Sequence, residues 1–386
     1  MVFWVSVGLL AYAWFGYPAF LAALAKLWRR PVKRMAIRPS VSLIVPVHNA
    51  GSLLVLKLEN LNELDYPPGR LEVIVVDDCS TDDGRRMPTT QGRAPLRFVC
   101  LGHRSGKAAA LNAGLEIAQG EIVGFTDVAS ILNRDALALA VERFADPRVG
   151  CVSSEDVIAP SVGIAGGEGL YTRIDTLTRR LESVLCSATG MNGSFYLARR
   201  ELCPPFPLDV ATDMFSALHC FDRGYRAVVE ERSIVRLTAQ PDAALEFERK
   251  VRTMVTGLCA LREFRRLLNP RVSGVFSLFL VSHKLLRYLT PALAVIALAS
   301  VAWLSVGDTA YRRALWAVIV GICIGNADRL IQRYTTQGRK SGGVLRRLTG
   351  VMAFACMSIA AASVAWYRYL KGTRYRTWQP TQRRAA

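Results

Sequence analysis

The chain has 386 residues, a net charge of +18 and a hydrophobic fraction of 51%. That length accommodates one large soluble domain plus membrane segments. The apolar residues mass at the N-terminus and after residue 275, which excludes a compact soluble protein. The basic excess sits in runs flanking those blocks (26–38, 329–347 and 368–384), so membrane lipid headgroups replace nucleic acid as the expected partner.

Val2 to Ala25 carries no charged residue and is long enough to cross a hydrocarbon core. It lacks the basic leader of a secretory signal, so residues 1–28 are expected to form an anchor. Lys26, Arg29, Arg30, Lys33, Arg34 and Arg38 follow with no acid among them. The positive-inside rule then places the domain after them in the cytoplasm, at a bacterial-type inner membrane crossed several times. The nine cysteines form no CxxC pair and no metal-type spacing, and read as reduced apolar residues.

Residues 40–240 alternate strand and helix patterns. Val41–Val47, Leu71–Val76, Arg97–Leu101 and Glu121–Phe125 are strand-like runs, and Gly51–Leu64 and Lys107–Gln119 are helical. Continuous apolar strands separated by helices predict a doubly wound, Rossmann-like α/β domain with a parallel sheet. Its ligands bind at the carboxyl ends of the strands. Residues 241–288 then hold a basic amphipathic stretch with Val251, Val255, Leu258, Leu261 and Leu268 near one face, suited to the membrane surface or to capping the domain. Residues 289–370 contain three apolar blocks, Leu289–Val306, Ala314–Ala327 and Leu348–Tyr367, before a basic tail at 371–386 with Arg383 and Arg384 at its end. Three crossings would put that tail outside, against the positive-inside rule, and the sequence leaves the parity open.

Polar residues cluster where the strands finish: Pro46, His48 and Asn49 after the first, Asp77 and Asp78 after the second, Thr126 and Asp127 after the fourth. Converging carboxylates there suit a nucleobase, ribose hydroxyls and a Mg²⁺ or Mn²⁺ ion bridged to phosphates. Gly102–Lys107 is one residue short of a Walker loop and ends before Ala108, so it is no P-loop. His48, His103, His219 and His283 show no paired metal spacing, and His283 is expected to be structural at the membrane entry.

The order SLIVPVHNA, VIVVDDCSTD, GKAAALNAGL, GEIVGFTDVAS and ATGMNGSFYLAR resembles family 2 of the glycosyltransferases, in particular the membrane-bound cellulose, hyaluronan and poly-N-acetylglucosamine synthases, over Val41 to Tyr288. The resemblance implies a GT-A fold and an inverting transfer from a nucleotide-sugar donor, UDP-glucose or UDP-N-acetylglucosamine. The acceptor would be a growing polysaccharide or a membrane-linked saccharide, with polysaccharide assembly proteins as partners. It assigns Pro46, His48, Asn49, Asp77, Asp78, Lys107, Asp127, Arg249 and Arg252 to the donor, Asp127 also to the metal, and Thr189, Gly190 and Asn192 to the acceptor. Asp213, placed by its distance from Gly224-Tyr225, becomes the base that deprotonates the attacking hydroxyl; capping of its own helix is the other role open to it. Arg249 and Arg252 share a helix face and fall on the QxxRW motif, positioned for a leaving diphosphate, with lipid contact the alternative for Arg249. Two positions depart from the family: Ala129 stands where DxD has its second acid, and Arg249 and Thr253 replace the motif's Gln and Trp. Ala129 motivates the alternative of a non-catalytic homologue serving as a membrane scaffold.

Overall fold

The computed structural model describes residues 1–82, 93–158, 164–237, 242–334 and 344–377. Arg383 and Arg384 of the expected basic tail lie outside them. The strands are β1 (Val41–Val47), β2 (Leu71–Asp77), β3 (Leu96–Cys100), β4 (Ile122–Thr126), β5 (Ile131–Leu132), β6 (Val149–Ile158), β7 (Phe195–Arg199) and β8 (Arg226–Leu237). They form one sheet in the order β3-β2-β1-β4-β7-β6-β8-β5. The first four pair in parallel, with Val47 opposite Asp77 and Ile44 opposite Phe125. The four strands expected from the sequence make up this parallel half, as in a doubly wound domain. β7 runs antiparallel to β4 and β6, and β5 antiparallel to β8. The sheet is therefore mixed.

Strand order reverses at β1, which has β2 on one side and β4 on the other, and this opens the crevice at their carboxyl ends. β1 is buried along its whole length, as expected for a strand covered on both faces. The helix Lys107–Ile117 packs directly onto it. A Cβ at Gly114 would come within 2.5 Å of Ile44 Cγ2. Glycine there lets helix and strand backbones close up, which fixes where the helix N-terminus meets the crevice.

The N-terminal apolar block is one helix, Val2–Leu27, with a π-bulge at Tyr12–Gly16. Its Tyr17, Leu21 and Ala25 pack against Leu185 and Phe279, so it is docked on the domain. Among the described residues, this helix and Thr349–Leu370 are long and apolar enough to cross a membrane. Val275–Tyr288 and Thr290–Leu304, bent by 63°, make a third candidate if counted as one span. The block Ala314–Ala327 lies within the helix Thr309–Tyr334.

The amphipathic helix spans Ala243–Glu263. Its Val251, Val255 and Leu258 are covered by Ala361 and Ala365 of the last helix, Val344–Leu370. Leu261 joins the domain core, and Leu268 sits beyond the helix in a 3₁₀ turn. Thus the apolar stripe caps the domain under another helix, and burying each such side chain contributes about 1.5–3 kcal/mol.

After Leu370 the chain turns at Gly372, φ +81°, with Thr373 N–H donating to the Arg368 carbonyl at 2.9 Å. The segment 371–377 then returns to the α/β domain. Arg368 pairs with Glu248 at 2.9 Å, Arg374 with Asp209 at 3.6 Å, and the Arg376 backbone lies against Gly106. Residues 371–377 therefore lie against the same domain as the strand ends.

Candidate active site

The donor crevice begins at the ends of β1 and β2. Asn49 (φ +49°) and Cys79 (φ +56°) both take left-handed backbone, rare for side-chain-bearing residues and concentrated at functional turns. Asn49 N–H donates to Ser80 Oγ at 2.9 Å, and Thr81 N–H donates to Asn49 Oδ1 at 2.8 Å, tying the two strand ends together. His48 is buried, with Nδ1 2.8 Å from the Asp78 carbonyl. Pro46 sits inside β1 opposite Val76.

Asp77 and Asp78 are fully buried. Asp77 accepts from the Ser80 backbone and hydroxyl. Asp78 accepts from the N–H groups of Ser105 at 2.6 Å and Gly106 at 2.8 Å. It thereby clamps the turn that opens the Lys107 helix. Gly106 has φ +95°, and a Cβ there would overlap the Arg376 carbonyl, so residues 371–377 cover this turn.

Lys107 Nζ lies 2.5 Å from Asp127 Oδ1 and 3.5 Å from the Gly193 carbonyl. Across Gly193 is Asp213, whose Oδ2 would stand 3.6 Å from a Cβ on that glycine. Lys107, paired with Asp127, and Asp213 therefore both adjoin Gly193. The capping role for Asp213 is overturned: its helix is Thr212–Asp222, Ala211 is the N-cap, and no side chain caps it. Asp213 lies in the first turn, partly buried, where the helix dipole favours its charge.

Burial and neighbouring Arg249 lower the pKa of Arg252, while the charge of Asp127 opposes them. Arg249 is engaged by Glu246 at 2.7 Å.

The acceptor segment differs from the sequence expectation. Thr189 is fully buried, its hydroxyl 3.1 Å from Glu182 and 3.0 Å from His283 Nδ1. Asn192 is bonded to Arg179 and donates to the Ser154 carbonyl at 2.6 Å. Their side chains are spent inside the protein. Gly190 is buried as well, with Lys284 Nζ 3.2 Å from where its Cβ would be.

Behind this segment is an ionic network the sequence reading did not anticipate. His283 places Nδ1 2.8 Å from Glu182 and Nε2 2.9 Å from Asp175. Tyr17 of the apolar N-terminal helix donates to Glu182 at 2.8 Å, and Arg287 to Asp175 at 2.9 Å. Burial opposes ionisation of Glu182, and His283 and its other partners outweigh it, holding the carboxyl below its usual range. The seven-residue spacing of Asp175 and Glu182, two turns of one helix face, was the available signal.

Lys57 was also missed. It is fully buried, and Nζ donates to Thr126 Oγ1 at 2.8 Å, the Ser130 carbonyl at 2.7 Å and Ser130 Oγ at 3.1 Å. It props the turn bearing Asp127 from beneath. Burial lowers its pKa to about 7, against the opposing pull of Asp127.

For a divalent cation, Asp127 is the carboxylate on hand and Ala129 adds no ligand. Among the described residues no group of three or more metal-type side chains occurs. This set fits Mg²⁺ or Mn²⁺ only in the form in which one carboxylate acts with substrate phosphates and water.

Residues 42–192 match Glycosyl transferase family 2. A beta-monoglucosyldiacylglycerol synthase of Synechocystis sp. is 35% identical over 128 residues, 31% of this chain and 26% of that protein. The poly(ribitol-phosphate) beta-N-acetylglucosaminyltransferase TarS of Staphylococcus aureus is 34% identical over 98 residues, 25% of this chain and 17% of its own. The chain thus spans about a quarter or less of the length of these curated relatives. Among solved structures, the mannosyltransferase PcManGT from Pyrobaculum calidifontis, in complex with GDP-Man and Mn2+, superposes with a TM-score of 0.73 at 28% identity. That match covers 97% of this chain and 100% of the other. The sheet that carries the crevice has the GT-A fold, and residues 42–192 are similar to glycosyl transferase family 2.

Proposed function

We propose that the protein is a membrane-anchored, inverting hexosyltransferase that moves a sugar from a nucleoside diphosphate donor to an acceptor held at the bilayer. The observation that carries this reading is that Lys107, paired with Asp127, and Asp213 both adjoin Gly193. Lys107 and Arg252 hold the diphosphate by charge-assisted hydrogen bonds. Asp213 takes the proton of the acceptor hydroxyl as that oxygen attacks the anomeric carbon and the diphosphate departs. Asp127 with the diphosphate would hold Mg²⁺ or Mn²⁺, which neutralises charge on the leaving group when bound.

The acceptor is a lipid-linked saccharide or a diacylglycerol-type lipid. The apolar helix docked through Tyr17 on Glu182, which also bonds Thr189, supports this, as does the likeness to the beta-monoglucosyldiacylglycerol synthase of Synechocystis. Single addition is favoured over an exopolysaccharide synthase, because Thr253 lacks the ring that the synthases' motif carries. The donors to compare are UDP-glucose, UDP-N-acetylglucosamine and GDP-mannose, the last because PcManGT holds it.

The test is donor turnover by the purified, lipid-reconstituted chain with lipid extract and Mg²⁺ or Mn²⁺, beside Asp213→Asn. Release of one nucleoside diphosphate, lost in the variant, supports transfer. No turnover with any donor would favour a scaffold, the reading that Ala129 motivates.

A further inference from the structure

Away from the crevice, at the foot of the N-terminal apolar helix, lies a cavity of about 250 Å³. Arg29, Arg30, Arg34, Arg143 and Arg180 line it, with Glu231 the acid in its wall. Its arginines come from separate parts of the chain, and several are held in place. Arg143 is anchored on the fully buried Glu230 at 2.6 Å, and Arg34 reaches that carboxylate at 3.7 Å. Arg180 pairs with Glu155 and lies 3.7 Å from Glu231, while its buried Nε has no hydrogen-bond partner. Arg30 is tied by its N–H to the Val184 carbonyl at 2.9 Å and its guanidinium stacks over Trp28 at 5.3 Å. Among the described residues no carboxylate pairs with Arg29 or Arg30.

Five arginines therefore line a cavity whose wall holds one acid, with Glu230 and Glu155 behind, and Arg29 Nε donates to the Ala25 carbonyl at 2.7 Å. Arg143 is buried and Arg180 half-buried, while Arg29, Arg30 and Arg34 stay open to solvent; such an excess suits an anion of more than one charge-accepting oxygen, and planar guanidinia match phosphate oxygens in pairs. The cavity's height supplies its second clue. It adjoins Leu27, 88% exposed, and Trp28, 52% exposed, where the apolar helix ends. An aromatic and basic belt at that point marks the headgroup level of a bilayer.

We propose that this cavity binds a phosphate group at the membrane surface, the headgroup phosphate of an anionic phospholipid or free phosphate. This rests on the reading that Val2–Leu27 crosses a membrane, but not on any glycosyl transfer. Bound there, the anion neutralises the arginines and clamps the anchor's exit to the strand β8 and the helix Ile164–Leu185, setting the height of the domain over the bilayer.

The experiment titrates the detergent-purified full chain with dioctanoyl phosphatidylglycerol, dioctanoyl phosphatidylcholine or inorganic phosphate, reading thermal unfolding and saturable binding. Arg29→Gln/Arg30→Gln is compared with Arg265→Gln/Arg271→Gln, exposed arginines remote from the cavity. Saturable phosphatidylglycerol binding, weakened at least tenfold by the first pair alone, assigns the site to an anionic lipid. Equal protection by inorganic phosphate with the same sensitivity assigns it to free phosphate. No saturation by either anion, equal binding of phosphatidylcholine, or equal loss in both pairs would overturn the proposal. Turnover is not the readout, so an inactive enzyme leaves the result interpretable.

Discussion

The two halves of the sheet solve different problems. The parallel half, β3-β2-β1-β4, builds the donor crevice from strand ends that lie next to their helices in sequence. Its key bonds join residues in adjoining loops, such as Asp78 to Gly106 at 2.8 Å. The mixed half, β7-β6-β8-β5, shares the acceptor side with helices from both ends of the chain: Tyr17 and Arg287 meet at Glu182 and Asp175. In the parallel half, Asp77 and Asp78 brace the loops at the strand ends, and Lys107 pairs with Asp127 at 2.5 Å. The acceptor side spends its charges on itself, welding the apolar helices to the domain.

Asp213→Asn should show the largest effect. Activity is expected to fall by about 10²–10⁴ in kcat, as for loss of a positioned base, with nucleoside diphosphate affinity unchanged. Equal kcat in a transfer assay would remove Asp213 from the chemistry. Glu182→Gln attacks the other half. It leaves His283 and Tyr17 without their shared charge, at a cost of about 3–5 kcal/mol, the range for breaking a buried ionic set. Thermal unfolding would register this, and an unchanged midpoint would mean the halves are not welded there.

Removing residues 372–386 should uncover the Gly106 turn and raise donor KM about tenfold, roughly 1.4 kcal/mol, while acceptor KM holds. A lower donor KM would make the segment an obstruction instead of a wall. The smallest effect is expected on stability in Lys57→Met: unfolding at pH 7 at the same or a higher temperature, yet with kcat/KM reduced about tenfold. The sign follows from the depressed pKa. The unfolded chain binds the proton more tightly, so the wild type gains stability as pH rises from about 7 toward the normal lysine range, and the variant lacks that gain.

The donor half was legible because its signals are local. Val41–Val47 is a strand with the bounds its apolar run implies, and Lys107 begins its helix as read. Asp127 and Asp213 are proposed from motif order; Asp127 pairs with Lys107, and Lys107 and Asp213 each adjoin Gly193. Lys57 was hidden because a lysine in Ser52–Asn62 has the same helical pattern whether it faces water or Thr126. Thr189 and Asn192 misled for a related reason: a polar side chain in a loop looks available until its buried partners are known.

By itself the sequence determined the apolar blocks, the strand–helix alternation and the residue types at each strand end, since these follow from periodicity and from chain neighbours. Tertiary structure alone decided that β7 runs antiparallel, that the last helix covers Val251 and Val255, and that residues 371–377 fold back over Gly106. Those outcomes depend on which surfaces bury each other across hundreds of residues, and no local pattern encodes the partner of a buried face.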